Sequence, residues 1–367
     1  MSVRPRTLQR AAWRLSGAPV HLPDRPLVRR LARLPTRRLF LAAALLLAVA
    51  LAFLWLYPSS YYLYVPNEAQ PLAERVEVEG AAPGDGEGGV YYVDVTIRQA
   101  TLLERLLPAT RPDGSTLVPE DAVVPPGSSF GERARAGRQQ MARSKEVAAA
   151  VALEAAGFDV EADPRGALVE AVAPDVPAAG QLEGGDVIVA VEDAPVRTPA
   201  ELRAEVSKAR PGDRLDLDVR RDGTVRDVAV RTVAAPDDPG RPVIGIQVSQ
   251  AAEIDLPREV EIDLGAVGGP SAGLALALEV LEQLGRDVDR GYRVAATGEL
   301  ELDGSVVPVG GLKQKTFGVR DAGADIFLVP AGDNAAEARR YADGLRVVAV
   351  ESFQQALRRL ATLPSKG

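Results

Sequence analysis

Three adjoining stretches decide the reading: DLGAVGGPSAGLALALEVLEQLG (residues 263–285), RVAATGELELDGSVVPVGG (293–311) and LKQKTFGVRDAG (312–323). The first passes from an extended, glycine-rich segment into a helix beginning near Ser271, because Leu274, Leu278 and Leu281 recur at helical spacing. The second reads as strand, turn, strand, with Asp303-Gly304 as the hairpin signal. The third reads as a helix ending near Gly323, with Leu312, Lys315, Thr316, Val319 and Ala322 on one stripe.

Two side chains in this region can do chemistry. A serine at a helix N-terminus sits beside unpaired amides and the positive end of the macrodipole, a suitable place for an oxyanion to develop on an attacked carbonyl. Ser271 is in that position, though serine is also a preferred N-cap residue with no other role. Lys315 lies within the mostly apolar stripe. Loss of hydration there lowers an ammonium pKa, and a neutral lysine can accept a serine proton. Its competing reading is a stem that covers apolar surface while the head reaches solvent. Lys313 falls with Arg320 on another face and can stay in water.

GGPSAG (268–273), TGE (297–299) and GGLKQK (310–315) together resemble the proteolytic domain of the Lon family in order and separation. The resemblance implies a Ser-Lys dyad with Ser271 as nucleophile and Lys315, the second lysine of GGLKQK, as general base. Thr297 then helps to orient the lysine, and backbone around Ser271, from Gly269 and Pro270 to Ala272, supports the oxyanion. It also implies a homo-oligomeric ring, often a hexamer. No cofactor and no metal are expected. One departure is Gly268, where ATP-dependent relatives often carry an acid.

Upstream, GALVEA (166–171), PAAGQLEGGDVIVAVED (177–193) and PAELRAEV (199–206) resemble a PDZ domain of the bacterial protease-associated type, over residues 157–235. Thr198 can cap a helix starting at Pro199, with Glu201 at capping-box spacing, and Leu215, Leu217 and Val219 alternate with charged residues as a half-buried strand should. The resemblance implies a groove between the GALV strand and the helix, where an extended peptide adds as a strand. Arg165, Gly166, Ala167 and Leu168 are the candidates for the loop that receives its carboxylate. Residues 90–97 (VYYVDVTI) read as one strand, 109–130 as a loop, and Arg133 to Ala156 as a long helix stopped by Gly157. The part of that helix over 141–157 also looks like a helix of the Lon proteolytic fold. The PDZ module is then inserted into a discontinuous catalytic domain made from 72–156 and 240–362. The fold class expected is α+β: one transmembrane helix, an α/β proteolytic domain and an inserted β-rich PDZ domain.

The rest of the chain sets the setting. Residues 1–38 carry ten arginines against the single acid Asp24, in a chain of net charge −8. Residues 39–57 (LFLAAALLLAVALAFLWLY) have no charge and, as a helix, rise about 28 Å, close to the hydrocarbon thickness of a bilayer. Trp55, Tyr57, Tyr61, Tyr62 and Tyr64 follow as an interfacial belt, and the arginines place the N-terminus in the cytoplasm. The expectation is an anchor in the cytoplasmic membrane, with everything beyond residue 60 outside it. A cleaved signal peptide is the competing reading, but the apolar stretch is long and lacks a clear small-x-small site. The chain has no cysteine and one histidine, His21, within the arm, so no thiol nucleophile, Ser-His-Asp triad or multi-histidine metal site can serve the exported part. Low aromatic content and negative charge argue against nucleic-acid binding. No G-x-x-x-x-G-K-[ST] occurs, and too few residues remain for an ATPase domain, so no nucleotide partner is expected. The whole reads as an ATP-independent, membrane-anchored serine endopeptidase acting on protein or peptide substrates, with PDZ recognition or gating. The other reading is a membrane-tethered PDZ scaffold with a silent Lon-like domain.

Overall fold

The computed structural model describes residues 36–81, 88–124, 130–235 and 238–366. The arm through residue 35, with His21, lies outside the described residues. The chain divides into two compact units after Leu56. In the first, helix α1 (Thr36–Leu56) contains a stretch, Arg37–Leu56, long and apolar enough to cross a membrane, none of it buried. The helix stops at Leu56 because Tyr57 precedes Pro58, and a residue before proline is disfavoured in the α conformation.

The second unit is built on a five-stranded sheet in the order β2 (Gln70–Pro71), β4 (Gly89–Tyr92), β16 (Arg293–Ala296), β19 (Ile326–Pro330), β20 (Arg346–Val350). Its last four strands are parallel, and β2 runs antiparallel to β4. Helices cover both faces, so these strands are short continuous apolar runs. Val294, Ala296, Ile326 and Leu328 pack under α4 (Phe130–Ala155), α6 (Gly273–Gln283) and α9 (Phe353–Ala361). Ala295, Phe327 and Val329 face α7 (Leu312–Asp321) and α8 (Asp333–Arg340). Helix α4 thus shares one core with α6 and β16, although the chain between them builds a separate module. It ends as its glycine requires: Gly157 takes φ 93°, and the Phe158 amide returns to the Leu153 carbonyl at 3.0 Å.

Two sequence expectations change here. Residues 90–97 are two strands. After Tyr92 the chain leaves the central sheet, and β5 (Val95–Thr101) joins β1 (Pro58–Pro66) in a second, three-stranded sheet. The break falls at Val93-Asp94, where the Asn67 side-chain amide donates to Asp94 at 3.0 Å. Residues 109–130 are also more than a loop. They hold β6 (Thr116–Pro119), paired with β1, and the short helix α3 (Glu120–Val123), while 125–129 lie outside the described residues. Pairing, which a four-residue segment ending in proline does not advertise, makes β6 a strand.

The inserted module is an antiparallel sheet in the order β11 (Thr224–Arg231), β10 (Arg214–Arg221), β8 (Val187–Val191), β7 (Glu161–Val172), β14 (Ile246–Asp255). Helix α5 (Pro199–Val206) packs on β7, β8 and β14, with Leu202 and Val206 in the module's own core. Thr198 caps it by accepting the Glu201 amide at 3.1 Å; Glu201 in turn accepts from Arg197 rather than from Thr198, one residue off a capping box.

Between β16 and α7 the hairpin forms as expected: β17 (Glu299–Leu300) pairs with β18 (Val306–Val307), and Gly304 takes φ 79°. Helix α7 lies so close to the turn before β2 that a Cβ at Gly318 would collide with the Asn67 carbonyl oxygen. That oxygen is backbone and cannot swing away. Gly318→Ala is therefore expected to lose about 1–3 kcal/mol of stability, read as a lower urea midpoint with an unchanged m-value.

Candidate active site

Ser271 sits in the turn before α6, two residues ahead of its first helical position. Ala272 holds the N-cap position and makes no side-chain cap, so the seryl oxygen is not committed to capping α6. Ser271 Oγ lies 2.7 Å from Lys315 Nζ. Lys315 rises from the second turn of α7, which starts after Gly311 in the left-handed region at φ 76°. The stripe anticipated on that helix faces inward: Leu312, Thr316 and Val319 are fully buried, and Lys315 is 3% exposed. The snorkelling alternative for Lys315 is thereby excluded. Burial pushes its pKa down to about 7, against a small opposing pull from the Asp94 carboxylate.

Thr297 follows the C-terminal end of β16 and is fully buried. Its hydroxyl accepts from Lys315 Nζ at 2.9 Å and donates to the Ser271 carbonyl at 3.1 Å. The Gly298 amide donates to that same carbonyl at 2.9 Å, and the Leu274 amide donates to the Gly298 carbonyl at 3.1 Å. The turn after β16 and the serine loop are therefore laced together. With the lysine neutral, one of its N–H bonds is used by Thr297 and its lone pair can accept a proton from the Ser271 hydroxyl. Gly268 is also closely packed: a Cβ there would sit 3.1 Å from the Gly137 carbonyl carbon on α4, so the neighbour would have to give slightly. An acid at that position has no room without a shift of the helix.

The three neighbours expected to support an oxyanion are not equivalent. Gly269 donates its amide to the Gly137 carbonyl at 2.7 Å, and Pro270 has no N–H, so only Ala272 of the three can offer one. Two residues escaped the sequence reading: Gly137 and Ser144 on α4. Ser144 Oγ donates to the Pro270 carbonyl at 3.0 Å. They lie more than a hundred residues upstream in a helix whose pattern reports only its buried face, so no local signal marks them. Lys313 departs from the expected solvent position. It is partly buried, donating to the Ser115 carbonyl at 3.1 Å, 5.7 Å from the Tyr341 ring centroid.

The expected peptide groove is not formed where the sequence placed it. Arg165, Gly166, Ala167 and Leu168 lie within β7, not in a loop, and both edges of β7 are taken. Ala167 and Leu168 pair with Ile188 and Val187 of β8 and with Gln250 and Ser249 of β14, and the Gly166 amide donates to Arg197. Arg165 is paired with Asp163 and Glu253. Amides already bonded cannot receive a carboxylate. Strand β14, contributed by residues beyond the expected module, is an edge strand of the sheet among the described residues, next to β7.

For a cation, Glu282, Asp287 and Asp289 lie close enough together, but Glu282 already accepts the Val288 and Asp289 amides and Asp289 accepts that of Gly291. The group is separate from the dyad and argues for a capped turn.

Comparison with known proteins agrees with two domains. Residues 253–362 match the Lon protease (S16) C-terminal proteolytic domain, and residues 154–232 match the PDZ domain. Lon protease 1 of Sorangium cellulosum is 34% identical over 143 residues, covering 34% of this chain and 17% of the relative. Lon protease 2 of Bacillus subtilis is 32% identical over 111 residues, covering 30% of this chain and 19% of the relative. The chain thus spans less than a fifth of the length of either relative. The PDZ domain of the SdrC-like protein from Listeria monocytogenes is 25% identical, with 23% of this chain and 87% of that one covered and a TM-score of 0.22. The chain carries a PDZ domain and a Lon-type proteolytic domain, which supports a peptidase.

The buried lysine sets a pH signature. Unfolded, Lys315 holds its proton up to about pH 10.4, whereas folded it releases it near pH 7. The unfolded state binds the extra proton between these values, so this group's contribution to stability rises with pH across that window and is lost as pH falls through 7. Lys315→Met is expected to flatten that rise, measured as urea midpoints from pH 6 to pH 10.

Proposed function

We propose that the chain is an ATP-independent serine endopeptidase that uses Ser271 and Lys315 as a catalytic dyad. The observation that carries this reading is the 2.7 Å approach of Lys315 Nζ to Ser271 Oγ, with the lysine buried and its pKa near 7. Ser271 attacks the peptide carbonyl and Lys315 takes its proton, then returns it to the leaving amine. Water, activated by the same lysine, releases the acyl-enzyme. The amide of Ala272 and the N-terminus of α6 favour the negative charge that develops on the attacked oxygen. Thr297 holds the lysine in line.

The chain carries no phosphate-binding G-x-x-x-x-G-K-[ST], which supports cleavage without nucleotide-driven unfolding; substrates are then extended or loosely folded proteins. Helix α1 serves as a single membrane anchor in this reading, with the arginine-rich arm cytoplasmic and the proteolytic domain on the opposite side. Assembly into a ring follows the Lon resemblance. The scaffold reading is disfavoured because a domain kept only for its shape has no need of a buried lysine whose hydrogen bonds go to two hydroxyls, one of them a serine, rather than to a carboxylate.

Three variants test the dyad on casein. Ser271→Ala and Lys315→Ala are expected to lose cleavage by at least about a thousandfold, while Lys313→Ala keeps it. Cleavage retained in either of the first two overturns the dyad. Wild-type cleavage is expected to rise with pH through about 7 as Lys315 loses its proton. For the anchor, a carbonate wash of membranes should leave the chain in the pellet, and removal of residues 36–56 should release it.

A further inference from the structure

Arg143, on α4, is a partly buried cation that the dyad does not use. Its Nε and Nη2 are buried without a hydrogen-bond partner among the described residues. It lines a small cavity with Gln140, Glu170, Ser249, Pro270 and Glu299. Three parts of the chain meet there: helix α4, the inserted module through β7 and β14, and the turn that follows Thr297.

The charges at this junction come from both domains. Gln140 donates to Glu170 of β7, and Arg203 of α5 lies 3.7 Å from Glu301. Glu299 is half-buried between the acids Glu170 and Glu301, and Arg203 is the cation that offsets them. The module therefore brings one acid and one base to a carboxylate belonging to the proteolytic domain. Partly buried charges in such a group depend on their partners, and removing one leaves the others uncompensated.

The junction also reaches the nucleophile from two sides. Glu299 directly follows Gly298, whose amide holds the Ser271 carbonyl together with the Thr297 hydroxyl. Next to Arg143, Ser144 holds the Pro270 carbonyl. The geometry points to the inserted module acting as a wall of the active site: Arg203 seats the turn through Glu301, Glu170 closes the cavity beside Glu299, and Glu299 is a positioning residue for the Ser271–Lys315 pair. The module then governs turnover at the dyad in addition to any capture of substrate. This inference rests on the proteolytic reading of the dyad.

The test is a charge swap in the full chain, with steady-state cleavage of fluorescent casein read as kcat and KM. Arg203→Glu places a third acid beside Glu299 and Glu301, and Glu301→Arg leaves two cations face to face. Each is expected to lower kcat about fivefold or more with KM little changed, and the double reversal to recover most of the loss. If a reversal prevents folding, Arg203→Ala and Glu301→Gln are read in its place, each with a smaller fall in kcat expected. Single variants with wild-type kcat, a change confined to KM, or a double variant as slow as the singles would each overturn the inference. Ser271→Ala separates the two readings: wild-type cleavage that persists in it sinks the dyad itself, whichever way the swap behaves.

Discussion

A lysine nitrogen that has left water needs its surroundings arranged around it. Lys315 is nearly fully buried, and its hydrogen bonds run to two hydroxyls, Ser271 Oγ and Thr297 Oγ1, with no carboxylate in contact. An ammonium there would be poorly compensated, so the amine is favoured, and a neutral amine beside a serine is a base in waiting. The same burial that destabilises the charged form thus leaves a neutral amine beside the seryl hydroxyl. Helix α7 must come close for this to happen, and two glycines allow it: Gly311 starts the helix from the left-handed region, and Gly318 lets it press against the backbone at Asn67.

The other half of the site is a matter of holding a loop still. Ser271 is outside regular secondary structure, yet its carbonyl receives two hydrogen bonds from the turn after β16, and Pro270 and Gly269 are tied to α4 through Ser144 and Gly137. The loop of Ser271 is thus clamped between the sheet's carboxyl end and a helix from the other side of the inserted module. Ligand-binding and reactive groups at the carboxyl ends of parallel strands are the general pattern in open α/β sheets. Here the insertion adds a second contact, because the module's own charges reach the same turn.

Much of this architecture is legible in the residues. Leu274, Leu278 and Leu281 mark α6, Asp303-Gly304 marks its hairpin, Gly157 stops α4, and Thr198 caps α5, each through a local rule of periodicity, turn geometry or capping. What local rules miss is pairing. The run at 90–97 is rich in β-branched and aromatic residues as one strand should be, but its two halves find different partners, and β6 is a strand only because β1 lies beside it. The peptide groove was misplaced for the same reason: the GALV pattern identifies β7 as a strand but does not say that β14, some eighty residues later, takes its edge.

By itself the sequence determined which atoms are available. It removed cysteine altogether, confined histidine to the arm, set one long apolar helix near the start, and put a serine, a threonine and a lysine into three glycine-marked motifs. Only the tertiary structure decided what those atoms are. Whether Ser271 caps a helix or faces a base, and whether Lys315 reaches water or loses its proton, depends on how close α7 lies to the serine loop and on how much solvent is excluded there. Those are sums over many distant contacts, and a one-dimensional pattern carries the residues that make them but not the distances at which they meet.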